Sequence, residues 1–472
     1  MAISTKIPSG GDRSDRRIVK MAFEQGASGG QSASTSSAAE VRRREMILLL
    51  ILASVQFTSI VDFMVVMPLG PQLQRKLQID NAQFGWIVAS YTIAAGLAGL
   101  LASSIMDRFG RKSAFLTLYT GFLLGTLFCG LAAGYSMLLA ARALTGAFGG
   151  ILGGMALAIV GDVFPEERRG RATGILMSAF AVATVVGVPS GIYLGGELGW
   201  HVPFLVLAAL GLPVLFVAVR VLPPLRDHLH QTSHSHPLAQ IVETFGHSNH
   251  IRAFALTVAV MLGSFSIIPS TSLYLVSNVG LDETKDLPWV FFTGGVLTLV
   301  GAPLIGRVAD RHGKLRVYRV VATMAIVMIF VVTNLPRVPL AVAAGAYGLF
   351  MLTNAGRMVT AMTMITGSVE RRLRGGFMSA NSAVQHLASG LAAAIGGLIL
   401  VKGADGRQQH FNRIGLFAAV LTALSLWLAG RVRSAQAVEP PLHGGSEDTT
   451  LPPELTESTL DYPADAVATE PM

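Results

Sequence analysis

The sequence predicts an all-α membrane protein whose chain crosses the bilayer twelve times, in two pseudo-symmetric bundles of six helices. Three observations carry that expectation. Of the 472 residues, 51% are hydrophobic and only 14% charged, with a mean hydropathy of +0.55; soluble chains carry about 25% charged residues. Apolar runs recur at the length of roughly twenty residues that a helix needs to cross the hydrocarbon core. Finally, Ser103–Lys112 (SSIMDRFGRK) returns as Gly306–Lys314 (GRVADRHGK), both of the form small-x-x-x-Asp-Arg-x-Gly-basic. Asp107 and Asp310 are 203 positions apart, each between the second and third apolar runs of its half, so one six-span unit is used twice.

Taken in order, residues 1–44 form a polar N-tail rich in Ser, Gly and Arg, expected to be disordered because it has too little apolar surface to offset ordering. No cleavable signal is evident in it. The N-terminal bundle covers 45–222, with spans near 46–70, 83–106, 113–134, 136–163, 172–197 and 200–222. A linker, 223–250, precedes the C-terminal bundle, 251–432, with spans near 252–279, 287–308, 317–335, 338–367, 376–401 and 411–431. The tail 433–472 carries Pro440, Pro441, Pro452 and Pro453 among mostly acidic charges, and it too is expected to be disordered.

Charge fixes the expected orientation. Short loops on the side of the two termini hold nineteen Lys and Arg, against seven on the other side, which places both termini in the cytoplasm. The net charge of +8 is thus a matter of topology and not of nucleic-acid binding. The linker clusters His228, His230, His234, His236, His247 and His250, but with only Asp227 and Glu243 beside them it reads as solvated, and no metal site is expected. Cys129 is the one cysteine, so a disulfide framework is excluded. No nucleophile–base pair, metal set or phosphate loop stands out, so neither an enzyme nor a resident cofactor is expected.

Polar residues inside the spans are the candidates for function. Asp62 stands some sixteen residues into the first span, in Gln56-Phe-Thr-Ser-Ile-Val-Asp62. A carboxylate near mid-bilayer costs about 3 kcal/mol on insertion scales, so it must face a cavity or a partner. Burial and a nearby cation act on such a group in opposite senses, which suits a site that changes protonation. Arg142, in the fourth span, lies at comparable depth. Aligning Pro68 with Pro269 sets Gly263 opposite Asp62, so the acid belongs to one bundle only. Arg357 in the tenth span, with Asn354, and Asn381, Gln385 and His386 in the eleventh, together with Gln56, make a candidate cavity lining.

The paired loops resemble the signature of the major facilitator superfamily of transporters, whose first-half form is Gly-x-Leu-Ala-Asp-Arg-x-Gly-Arg-Lys; Ser103 replaces the leading Gly here. The resemblance covers roughly residues 45–432. Arg142-Ala-Leu-Thr-Gly146 resembles its Arg-x-x-x-Gly element, which in related antiporters influences a nearby protonatable acid. Ala183-Thr-Val-Val-Gly187-Val-Pro189-Ser-Gly191 is similar to its antiporter motif, with Ala183 in place of Gly and Val188 inserted before Pro189. The resemblance also implies a conformational latch for the outward-facing state. It sets Asp107 near Gly376–Ser379, Arg111 with Asp162, Asp310 near Gly174, and Lys314 with Glu370.

The resulting expectation is a bacterial inner-membrane permease, acting as a monomer and exporting a small drug or sugar in exchange for protons by alternating access. Asp62 would carry the proton and Arg142 modulate it. A proton-coupled importer with the same fold is the alternative, and a non-transporting sensor or scaffold a weaker one.

Overall fold

The computed structural model describes residues 31–105, 109–222, 247–370, 373–433 and 435. Among these, twelve long helices follow one another, and eleven are long and apolar enough to cross a membrane: Arg42–Val65, Asn81–Leu101 (helical to Ile105), Arg111–Gly130, Tyr135–Val163, Glu166–Leu198, Val202–Val221, Ser248–Val279, Leu287–His312, Lys314–Thr333, Arg374–Ile399 and Phe411–Ala429. The remaining helix, Leu340–Gly367, is the tenth span. Its 28 residues, at about 1.5 Å each, also suffice to cross, but Asn354 and Arg357 interrupt its apolar run.

Two expected boundaries shift. The N-tail 1–44 is shorter at its inner end, because Gln31–Val65 is one continuous helix; residues 1–30 lie outside the described residues. The linker 223–250 ends earlier, since the seventh span starts at Ser248 and buries His250 against the rings of His247 and Phe377. Residues 223–246, and all of the C-tail beyond Arg433 except Ala435, lie outside the described residues. The loop before the twelfth span holds a two-stranded antiparallel hairpin pairing Val401 with Gln409 and Lys402 with Gln408.

An even number of crossings puts the start of the first span and the end of the twelfth on one face, here the terminal face. On the opposite side a single apolar core joins both bundles, with Val61, Val65 and Leu69 from one and Leu273, Phe291, Ala393 and Leu400 from the other. Toward the terminal face that core divides. One part surrounds Phe115, Phe122, Ile159 and Leu176, the other Phe254, Tyr318, Ile365 and Phe377. The eighth span packs on the middle and outer part of the fifth, residues 183–198, while the inner part, Glu166–Val182, packs on the first span instead.

Polar bonds seal the opposite face. Ser272 donates to the Met67 carbonyl at 2.7 Å, and the Asn81 amide donates to Leu400 O at 3.1 Å and Gln408 Oε1 at 2.8 Å. Asn278 holds the hairpin by a reciprocal pair of bonds to the Gln408 backbone, at 2.9 and 2.8 Å. Arg75 also pairs with Glu283 across the seam. The bundles are therefore joined at the opposite face and parted at the terminal face.

Candidate functional site

The predicted acid and base meet. Arg142 Nη1 donates to Asp62 Oδ2 at 2.7 Å and to the Asp62 carbonyl at 3.3 Å, with the two side chains 1% and 0% exposed. Thr126 of the third span donates to the other carboxylate oxygen at 3.1 Å. From the second span the ring of Tyr91 lies under the guanidinium, 4.5 Å from Cζ. Four helices thus converge on one ion pair. Neither Thr126 nor Tyr91 stood out in the sequence; a lone Thr and a lone Tyr in apolar runs carry no pattern that points at a partner.

Local packing explains how the first span comes so close. The predicted antiporter stretch forms a π-turn, Ala183–Gly187, followed by a helix with Pro189 in its first turn. The helix runs on without a break through this stretch, and the π-turn just before Pro189 is the local adjustment that accommodates its missing N–H. A Cβ on Gly187 would stand 2.3 Å from Val61 Cγ2, and one on Gly191 2.5 Å from Val65 Cγ2. These glycines therefore seat the fifth span on the residues flanking Asp62, a tight helix approach of the small-xxx-small kind.

The pair lies in the interior of its bundle, with both side chains shut off from solvent. Separating it would strand a charge in a low-dielectric interior, at a cost of about 3–5 kcal/mol. A proton delivered to Asp62 cancels one charge, so Arg142 Nη1 exchanges a charged acceptor for a neutral one while keeping the Asp62 main-chain carbonyl. Arg142 Nε already lacks a hydrogen-bond partner. Chemically, the cluster can store or release one proton and couple that event to the relative position of four helices.

The second bundle repeats the arrangement without the acid. Arg357 of the tenth span, 1% exposed, donates from Nη2 to Ser264 Oγ at 2.7 Å and Asn354 Oδ1 at 2.8 Å, and from Nη1 to Thr422 Oγ1. Ser264 is adjacent to Gly263, the residue set opposite Asp62 by the repeat. Among the described residues no carboxylate pairs with Arg357, so its charge is met by neutral oxygens alone.

Other expected cavity residues divide by burial. Asn354 and Asn381 are buried and engaged, Asn381 accepting from Thr257 at 2.6 Å, so bonds between helices occupy them. This corrects their expected lining role in this conformation: a buried amide takes the nearest hydroxyl in place of open water. Arg357 is likewise interior. Gln56, Gln385 and His386 are half-buried. Gln385 reaches Met358 Sδ at 3.8 Å and Asn381 reaches Met362 Sδ at 3.9 Å, both across to the tenth span. The His386 ring has no hydrogen-bond partner among the described residues, and Gln56 Oε1 is buried without one.

Of the latch, one contact is made: Arg111 Nε donates to Asp162 Oδ2 at 3.2 Å, inside the first bundle. Asp107 lies outside the described residues. Asp310, Lys314 and Glu370 are exposed, and the expected pairing of Lys314 with Glu370 is absent, as is any polar partner for Asp310 among the described residues. A Cβ on Gly174 would meet only open space. Of the expected latch contacts, Asp310 near Gly174 would cross between the bundles, and parting of the terminal face accounts for its absence; Lys314 and Glu370 belong to one bundle, so that parting does not explain their missing pair.

Comparison with known proteins accounts for the architecture. A family model described as Major Facilitator Superfamily matches residues 52–282 and 253–463. The chain belongs to the major facilitator superfamily. Within this superfamily of transporters it is 25% identical to the uncharacterised MFS-type transporter YceJ of Bacillus subtilis (strain 168), over 79% of this chain and 93% of that one. A shorter stretch, 32% of the chain and 29% of the relative, is 33% identical to Multidrug resistance protein 3 of the same organism. Among solved structures, a bacterial homolog of the human lysosomal transporter Spinster, inward-facing and unoccupied, superposes with a TM-score of 0.64 at 16% identity, covering 82% of this chain and 95% of that one. The nucleoside transporter NupG gives a TM-score of 0.66 at 12% identity, covering 82% and 99%. At such identities these two likenesses speak for the fold alone.

Proposed function

We propose that this superfamily member exports small organic molecules in exchange for protons, with Asp62 as the proton carrier and Arg142 as the group that senses its charge. One observation carries the reading: a fully buried acid–base pair at the meeting point of four helices, present in one bundle and lacking its acid in the other. The excess of nineteen basic residues over seven supports a cytoplasmic terminal face, and hence an inward-facing chain. Relatives named for multidrug resistance support a drug-like substrate. So does Met358, set against half-buried Gln385, since methionine adapts to ligands of varied shape. The location is a bacterial inner membrane with the protein working as a monomer, and the proton gradient serves in place of any cofactor.

The test is accumulation of a fluorescent lipophilic drug in proteoliposomes under an imposed pH gradient. Wild-type protein concentrates the drug only while the gradient lasts. Asp62→Asn binds the drug and equilibrates it without concentrating it. Gradient-driven accumulation by the Asn variant removes Asp62 from the mechanism.

A further inference from the structure

A second site lies at the membrane-interface end of the seam between the first and fifth spans, on the terminal face. A cavity of about 660 Å³ is lined there by Arg42, Glu45, Arg168 and Arg171, with Leu49, Phe164 and Ile175 among its apolar walls. Its charges are not the ordinary excess of a loop on this face. Arg168 is spent on Glu45 at 2.8 Å. The neighbouring Arg169 caps the fourth span, donating to Gly161 O at 2.9 Å and Phe164 O at 3.3 Å. Arg42 and Arg171 are exposed, make no polar contact among the described residues, and face the same cavity. The cavity therefore holds two uncommitted positive charges.

The geometry points to an anionic phospholipid as the occupant. Arg42 opens the first span and Arg171 lies six residues into the fifth span as numbered from Glu166, so both stand where a bilayer carries its phosphates. The apolar walls lie one to two helical turns further along the same two helices, at Met46, Leu49 and Ile175. Paired guanidiniums bind a phosphate with fixed geometry, while the apolar walls take the first carbons of the acyl chains. A soluble anion would use only the arginines and leave that wall wet. Basic pockets between spans on this kind of face suit anionic head groups. The bound lipid would bridge the first and fifth spans at the end of the helix pair whose other part holds Asp62.

The experiment is native mass spectrometry of the full-length protein in detergent, titrated with phosphatidylglycerol and, separately, with phosphatidylcholine. Wild-type protein retains one tightly bound phosphatidylglycerol in preference to phosphatidylcholine. Each arginine near a lipid surface contributes about fivefold in affinity, so Arg42→Gln with Arg171→Gln lowers it roughly twenty-five-fold. The control, Arg307→Gln with Arg311→Gln, removes the same charge from exposed positions on the same face and changes affinity less than about twofold. Thermal melting without added lipid checks that both double variants fold. Equal losses in the two variants, equal binding of phosphatidylcholine, or displacement of the lipid by millimolar glycerol 3-phosphate would each overturn the assignment.

Discussion

Replacing Asp62 by Asn removes one charge from a site where nothing else can compensate. The side chain is 0% exposed, and Arg142 Nη1 loses its 2.7 Å charged acceptor while Nε already has none. Breaking a buried pair from one side costs about 3–5 kcal/mol, whereas removing both partners together is often close to neutral. The single variant should therefore melt well below wild type in detergent. The double variant, Asp62→Asn with Arg142→Gln, should recover more than half of that loss. Such a recovery is a coupling between the two residues of several kcal/mol, which a double-mutant cycle reads directly. In the single variant Thr126 can still donate to the amide oxygen that takes the place of the carboxylate, so its hydrogen bond is retained and the loss reports the charge. A single variant as stable as wild type would refute the reasoning, as would a double variant showing the full sum of two independent losses.

Three further outcomes follow from the same packing. A Cβ on Gly263 would lie 3.6 Å from Arg357 Nη1 and 3.2 Å from Thr422 Oγ1, so Gly263→Asp supplies the counter-charge Arg357 lacks; it should melt above Gly263→Asn, and the reverse order would show that Arg357 needs no counter-ion. Gly146→Ala drives a methyl to 2.1 Å from the Tyr91 carbonyl, which is backbone and cannot yield cheaply; about 1–3 kcal/mol should be lost, read as a lower melting temperature. Asn81→Ala removes the bonds to Leu400 and Gln408 that help seal the opposite face, worth about 1–3 kcal/mol when buried Gln408 is left wanting a partner. Spin labels at Ser178 and Arg307, with Cys129 buried and silent, should then show a larger population of short distances across the terminal face.

Much of the architecture was legible in the chain itself. Ten of the twelve spans lie within a few residues of their expected limits, the first and fifth differing by helical extensions at their inner ends, because a bilayer tolerates only backbone that satisfies its own hydrogen bonds over a fixed thickness. The pairing of Asp62 with Arg142 was legible for a similar reason. A lone charge at that depth is too costly to leave without a partner, and counting residues from the membrane edge put the two at one level. The Gly-rich stretch of the fifth span announced close packing, though not that its partner would be the residues beside Asp62.

What the tertiary structure decided is which partner each polar group takes, and which face is closed. Thr126 and Tyr91 joined the ion pair through three-dimensional proximity alone. Asn354 and Asn381, which could have lined a cavity, were captured by the hydroxyls of Ser264 and Thr257. On the proposed alternating-access reading the same chain would seal either face, which requires two arrangements of nearly equal energy. No local pattern ranks two such arrangements. Here the choice rests on long-range contacts, Ser272 with Met67 and Asn81 with Gln408, between residues 205 and 327 positions apart.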